Sequence, residues 1–460
     1  MTALPHGLVL TVGRKVRVRD GGATLVGGAP LRAVHLSAAA RALIDGGRLT
    51  VTEGASARLA DHLLAAGLAG PETAGLADLA PAEVTCVVPV RDQPAGLARL
   101  LAGLHDVFRV IVVDDASVGP APIAAVAARH RAQLVRLDTN LGPAGARNVG
   151  LGLVDTAYVL FVDSDVTVDA RAILRLGRHL QDPGLAVVAP RVVGGAGCSR
   201  RLAAYESVRS SLDLGCDGGL VHPQSRIGWL PSACLLARTS ALGEGFDAKM
   251  RVGEDVDLVW RLIAGGWRVR YEPAVVAQHA DHRPLPAWLA RKAFYGTGGA
   301  PLAVRHGSTV APAALSPLGV AIGLAALAQR RWSAPAVLVL SAVMMRRLSR
   351  SLRHSAHPTR LAAELTWLGS LSIFGQVTAL MLRHWWPLTA MAAVVSHRAR
   401  RALLLAAAAD SVVEYARTRP GLDPLSFAIL RRMDDLAYGA GLWVGVVRGR
   451  SVRALLPRLR

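Results

Sequence analysis

Lysine is almost missing from this chain. Lys15, Lys249 and Lys292 are the only three in 460 residues, so the formal net charge of +20 rests on arginine. Together with the abundance of Ala, Gly and Val, this points to a GC-rich genome rather than to selection for a polyanion. Nucleic acid is not expected as a partner. A basic balance equally suits anionic lipid headgroups and diphosphate-bearing substrates. Cysteine is scarce too: Cys86, Cys198, Cys216 and Cys234 do not cluster and show no C-x-x-C spacing. That excludes a zinc ribbon and a disulfide scaffold, and a reducing cytosol is the expected compartment. The opening Met1-Thr2-Ala3-Leu4-Pro5-His6 lacks a basic stretch followed by an apolar one, so no secretory signal is expected. Charged residues make up only 19% against 52% hydrophobic, with a mean hydropathy of +0.34, which excludes disorder and suggests some contact with lipid or a partner.

The length exceeds one ordinary hydrophobic core, and the pattern divides it in three. Residues 1–75 read as a small winged-helix-like domain. Leu8–Val12 and Val16–Arg19 are short strands, Gly21-Gly22 a turn, Ser37 the cap of a helix through Leu43, and Ser56 the cap of another through Ala66. The competing reading is a plain extension of the next domain. Residues 82–305 alternate apolar strands with amphipathic helices, as at Val84–Val90, Pro94–Leu104, Arg109–Asp115, Arg131–Leu137 and Ala157–Asp163. This predicts an α/β fold with a doubly wound, mostly parallel sheet of at least four strands. Residues 306–460 form an apolar, Arg-rich helical region. Leu315–Ala328 and Trp332–Met345 are too short to span a bilayer, and Leu365–Leu382 is a borderline candidate flanked by arginines on both sides. Interfacial helices on the inner face of the cell membrane, with Trp385-Trp386 at headgroup level, are one expectation; a helical bundle packed on the enzyme is the other.

Open parallel sheets bind ligands beyond the carboxyl ends of their strands, where this chain concentrates its acids. Pro89-Val90-Arg91-Asp92 ends one strand, and Val113-Asp114-Asp115-Ala116-Ser117 ends the next. A carboxylate there can receive a nucleobase edge or a ribose hydroxyl, or simply cap a helix. Asn140–Asn148 reads as a glycine-bearing loop leading into a helix, whose Arg147 can meet a phosphate bidentately. It matches neither the dinucleotide fingerprint nor the P-loop. Phe161-Val162-Asp163-Ser164-Asp165 places two carboxylates where they can converge on one Mg²⁺ or Mn²⁺ that also holds a diphosphate. Gly253-Glu254-Asp255 opens an amphipathic helix, and its acids either complement the helix dipole or include a general base at Asp255. His279, after a strand expected at Gly266–Tyr271, can add an imidazole ligand to the metal.

In that order, P-V-R-D, V-D-D-A-S, N-L-G-P-A-G-A-R-N, D-S-D and G-E-D resemble the large inverting glycosyltransferase family 2, which has the GT-A fold. The resemblance implies that Pro89, Arg91, Asp114 and Asp115 border the nucleoside of a UDP-sugar. It implies further that Asp163 and Asp165 address ribose and metal, and that Asp255 deprotonates the acceptor in one in-line displacement. The opening Leu4–Leu10, the segment Gly27–Arg32 and the closing Asp434–Trp443 resemble the mycofactocin-system glycosyltransferases of actinobacteria. That likeness implies transfer of glucose from UDP-glucose onto a peptide-derived redox cofactor or its precursor, building an oligosaccharide, with residues 1–75 as a peptide-recognition domain. Rival readings are a glycosyltransferase acting on a lipid-linked or cell-wall glycan, and a catalytically inactive membrane-associated scaffold. A Gln329-Arg330-Arg331-Trp332 stretch is one residue short of the Q-x-x-R-W of processive synthases, and a nucleotidyltransferase would want a basic Gly-rich loop that residues 88–93 do not supply.

Overall fold

The structure is a computed structural model that describes residues 4–104, 107–194, 199–223, 225–280, 283–353 and 355–459. Met1–Ala3 and Cys198 of the sequence reading lie outside the described residues. The chain forms two compact units, residues 1–282 and 283–460.

The first unit begins with two small sheets around a shared apolar cluster. β1 (Val9–Val12), β2 (Arg17–Arg19), β3 (Thr24–Gly27) and β4 (Arg32–His35) precede α1 (Ala38–Ala42), β5 (Arg48–Thr50), α2 (Ala55–Ala65) and β6 (Ala69–Pro71). The sheet orders are β5-β1-β6 and β2-β3-β4, and Leu10, Leu25, Leu49, Leu63 and Leu68 fill the space between. Ser37 caps α1 as expected, accepting from the Ala40 N–H at 3.1 Å. Ser56 does not cap α2. The helix starts one residue earlier, and the Ser56 hydroxyl is engaged instead by the Thr52 N–H at 2.9 Å. The β-branched run at 84–90 drives the next element, because strands buried on both faces need apolar side chains on both. β7 (Val84–Val90) is buried at every position. α3 (Pro94–Leu104), β8 (Arg109–Asp114), α4 (Ala121–Arg129), β9 (Gln133–Arg136), α5 (Gly142–Leu151) and β10 (Tyr158–Val162) continue the alternation. After them come β11 (Val166–Thr167), α6 (Ala170–Leu176), β12 (Leu185–Gly194), α7 (Arg200–Arg209), β13 (Gly219–Leu220), β14 (Cys234–Arg238), α8 (Glu254–Ala264) and β15 (Arg268–His279).

These nine strands form one sheet in the order β11-β15-β12-β14-β10-β7-β8-β9, with β13 on β15. β10, β7, β8 and β9 are mutually parallel, as are β12 and β15, but β14 runs antiparallel between β10 and β12. The mostly parallel α/β sheet is therefore present, with three reversed strands that the alternation did not announce. Cys86 and Cys234 are buried within it, and no disulfide occurs among the described residues. α5 presses on the sheet at Gly150, where a Cβ would collide with Val87 and stand 3.3 Å from Val113. Gly150→Ala is expected to cost about 1–3 kcal/mol by overpacking, read as a lowered denaturation midpoint. The small N-terminal sheets are tied to this one by Arg268 of β15, which pairs with Asp61 at 2.8 Å and with Asp182.

The second unit is helical. α9 (Leu285–Thr297) and α10 (Gly299–His306) precede a two-residue β16 (Ala314–Leu315), and α11 (Pro317–Ala328), α12 (Ser333–Ser351) and α13 (Pro358–Ala379) follow. α14 (Trp386–Val395), α15 (His397–Thr418) and α16 (Pro424–Gly449) complete it, with β17 (Arg458–Leu459) pairing in parallel with β16. The closing Asp434–Trp443 stretch lies in α16, where Gly441 and Gly445 let that helix approach the backbone of Ala293 and Thr297 on α9. Among the described residues one helix, Pro358–His384, is long and apolar enough to cross a membrane, and 22% of its window is buried. Trp385 is half-buried in an apolar cluster and donates to the Leu455 carbonyl at 2.8 Å.

Candidate active site

Six short segments carry the expected site residues, and each is placed by local chemistry. The D-S-D segment follows β10. Its backbone is crowded by α3, because Gly96 there brings a would-be Cβ within 2.7 Å of the Ser164 carbonyl. Only glycine lets α3 sit this close. Beyond Asp165 the chain turns straight into β11, which pairs antiparallel with the end of β15 and sets Val166 opposite His279. The Ala280 N–H donates to the Asp165 carbonyl at 2.8 Å, so Asp165 and His279 meet despite 113 residues of intervening chain, their Oδ2 and Nε2 lying 3.4 Å apart.

Asp163 points elsewhere. Its Oδ1 accepts from Arg147 at 2.6 Å, and the same guanidinium reaches Glu254 Oε1 at 3.0 Å. Arg147 is 2% exposed and lies over the Phe246 ring at 5.3 Å. The two carboxylates raise its pKa, overcoming the opposing cost of burial, so it stays charged. The sequence reading offered Arg147 to a phosphate from a loop. Instead α5 begins at Gly142, which encloses Arg147 in the helix and commits it to two internal acids. Glu254 was passed over as a helix-opening acid. Its signal was the unsatisfied charge of Arg147, which sequence spacing cannot connect across 107 residues.

Asp115 receives both the Leu141 and the Gly142 N–H, at 2.7 and 2.9 Å, and so anchors the start of α5. Asp114 Oδ1 accepts from the Ser117 N–H at 3.0 Å, while its buried Oδ2 has no hydrogen-bond partner among the described residues. Asp92 accepts from the Val118 N–H, which folds the P-V-R-D segment against V-D-D-A-S. Pro89 is buried in β7, and Arg91 is exposed with Asp92 3.6 Å away. Asn140 takes a hydrogen bond from Arg251 at 2.9 Å, and Asn148 exchanges two with the Phe246 backbone. The loop that precedes α8 is thereby clamped to α5.

Asp255 follows Glu254 in the first turn of α8, with the Ser232 N–H donating to its Oδ2 at 3.4 Å. The Trp260 indole fixes the same 228–232 stretch through the Gly228 carbonyl at 2.7 Å. Burial first, and then the adjacent Glu254 charge, push the Asp255 carboxyl up to about 7. Asp257, two residues on, is fully buried against Arg261. A carboxyl poised near neutrality suits general-base chemistry. If Asp255 works ionised, the rate rises with pH through about 7. Glu254→Gln removes the neighbouring negative charge, so the acidic limb is expected to move down by about one pH unit in a kcat/KM profile. An unmoved limb would contradict this coupling.

The donor set Asp165 and His279 suits a divalent cation completed by substrate phosphate oxygens. Among the described residues no group of three or more His, Cys, Asp or Glu side chains stands ready to hold a metal ion. Asp163 would join through its Oδ2, since its Oδ1 is taken by Arg147.

With this geometry in view, comparison with known proteins is decisive. The Glycosyl transferase family 2 model matches residues 85–220, and the pre-mycofactocin glycosyltransferase of Mycobacterium tuberculosis is 41% identical over 100% of this chain and 99% of its own. The chain belongs to glycosyl transferase family 2. The succinoglycan biosynthesis protein ExoO of Rhizobium meliloti is 28% identical, covering 42% of this chain and 59% of its own. Among solved structures, the mannosyltransferase PcManGT of Pyrobaculum calidifontis, in complex with GDP-Man and Mn²⁺, aligns at a TM-score of 0.38 and 20% identity, covering 64% of this chain and 88% of its own. The glycosyltransferase assignment accords with the α/β sheet and with acids gathered at its strand ends.

Proposed function

We propose that this glycosyltransferase moves a hexose, glucose from UDP-glucose, with inversion onto the peptide-derived redox cofactor mycofactocin or its precursor, extending it to an oligosaccharide. The observation that carries the reading is the 41% identity along the whole chain to a pre-mycofactocin glycosyltransferase. In this reading Asp115, Asp114, Pro89 and Arg91 lie along the nucleoside. Asp165 and His279, with Asp163, would hold Mg²⁺ or Mn²⁺, which supplies charge neutralisation for the leaving diphosphate. Asp255 takes the acceptor hydroxyl proton as the oxygen attacks the anomeric carbon from the face opposite the diphosphate. Arg147 keeps Asp163 and Glu254 apart as charges and holds α8 in register with the D-S-D segment. Residues 1–75 would receive the peptide part of the acceptor.

The proposed place of work is the inner face of the cell membrane, supported by the many apolar side chains that the helical unit exposes. That same feature favours, as a second reading, a lipid-linked or cell-wall glycan as acceptor. Calorimetric titration with UDP-glucose, UDP-galactose and GDP-mannose, each with and without Mn²⁺, tests the donor assignment. Metal-dependent binding of UDP-glucose alone is expected; preference for GDP-mannose would overturn it, and failure of all three donors to bind would favour the inactive scaffold.

A further inference from the structure

The charge of this protein is not spread evenly. Residues 283–460 hold 24 Lys and Arg against six Asp and Glu, so the helical unit carries +18 of the total +20. Its acids are used internally. Asp410 faces Arg431 at 2.5 Å, Glu414 faces Arg417 at 2.6 Å, Asp434 lies 3.4 Å from Lys292, and Asp435 is 3.1 Å from both Arg383 and Arg432. Asp423 caps α16. Exposed arginines such as Arg346, Arg347, Arg400 and Arg401 are left without a carboxylate partner among the described residues. Apolar exposure is equally lopsided. Among the described residues, 29 large hydrophobic side chains stand exposed in the helical unit against seven in residues 1–282.

Both features coincide where α14 runs into α15. Met391, Val394 and Val395 are 68%, 79% and 85% exposed at the end of α14, and Leu404 and Leu405 are 65% and 57% exposed on the first turns of α15. Arg400 and Arg401 stand between the two apolar groups. Met391 and Val395 share a helix face at i, i+4, as do Arg401 and Leu405. An exposed apolar patch rimmed by cations matches the boundary of an anionic bilayer: the aliphatic groups enter the headgroup layer while the guanidinium groups remain at its phosphates.

We propose that the α14–α15 corner docks this enzyme on an anionic lipid surface, with Met391, Val394, Val395, Leu404 and Leu405 entering the headgroup boundary and Arg400 and Arg401 meeting lipid phosphates. The proposal rests on the membrane-surface reading above and adds the element and the lipid charge that it selects. The test is sedimentation of the full chain with vesicles of phosphatidylcholine alone and with vesicles containing about one third phosphatidylglycerol. At least about tenfold tighter partition onto the anionic vesicles is expected, falling as salt rises. Arg400→Glu with Arg401→Glu is expected to erase that preference, and Val394→Asp with Val395→Asp to release the protein from both vesicle types. All four positions are exposed, and unchanged donor binding verifies that the variants fold. Equal partition onto neutral and anionic vesicles would overturn the lipid selectivity while leaving membrane association standing. Absence from both would overturn both. If the aspartate pair instead turned an oligomer into a monomer and left vesicle binding intact, the patch would belong to a second copy of the chain and the docking proposal would fall.

Discussion

Asp255→Asn is expected to lower the transfer rate by about 10³-fold while donor affinity stays within about twofold. The reasoning is that Asn keeps the shape and the acceptor geometry of one oxygen, so the backbone contact from Ser232 survives, but the group can no longer take a proton. The same substitution has a stability signature of definite sign. The folded carboxyl titrates at about 7, above its ordinary value, so the protein binds that proton more tightly when folded. Its stabilising contribution is complete below the ordinary carboxylate range and is lost as the pH rises through about 7. Asp255→Asn is therefore expected to melt higher than the wild-type protein at pH 8, with an advantage that shrinks as the pH falls below about 7 and is gone only below the ordinary carboxylate range. A variant that turned over normally, or melted lower at pH 8, would remove Asp255 from the role of base.

The second large effect concerns the pair that β11 and β15 bring together. Asp165→Ala is expected to weaken Mn²⁺-dependent donor binding by about 100-fold and to leave whatever affinity the donor retains in a chelator unchanged. His279→Ala is expected to act in the same direction, because its imidazole lies 3.4 Å from the same carboxylate. The two losses are expected to be less than additive when combined, since both side chains would serve one ion. Calorimetry at fixed Mn²⁺ checks all three variants. An Asp165→Ala protein with full metal-dependent affinity would leave Asp163 to act without it.

Much of this site was legible in the sequence because it sits at strand ends. Val84–Val90 and Pro94–Leu104 occupy the predicted ranges, since a buried β-branched run and a leucine-rich amphipathic stretch each admit one reading. The acids at 114–115 and 163–165 follow from those strands. What stayed hidden depends on contacts across long stretches of chain. β14 lies antiparallel in the middle of the sheet, yet Cys234–Arg238 reads as one more short apolar strand with no sign of direction. The Asp163–Arg147–Glu254 chain joins three elements, whereas the sequence alone offers Arg147 to a phosphate. Asp115 shows the converse case. Its neighbours in sequence offer a nucleoside contact or a helix anchor, and the structure gives it two N–H groups of α5. In the helical unit, composition announced apolar helices, but only packing separates the inward Trp385 from the outward Met391 and Val395.

The central claim is that Asp255, held beside Glu254 at the start of α8, serves a sugar transfer from a nucleotide donor to a peptide-derived redox acceptor. Its most direct test is mass spectrometry of that acceptor after incubation with the purified protein, UDP-glucose and Mn²⁺. The acceptor is predicted to gain hexose residues with release of UDP in the wild-type reaction and to stay unmodified with Asp255→Asn. An acceptor left unmodified by the wild-type protein, or modified equally by both, would contradict the account.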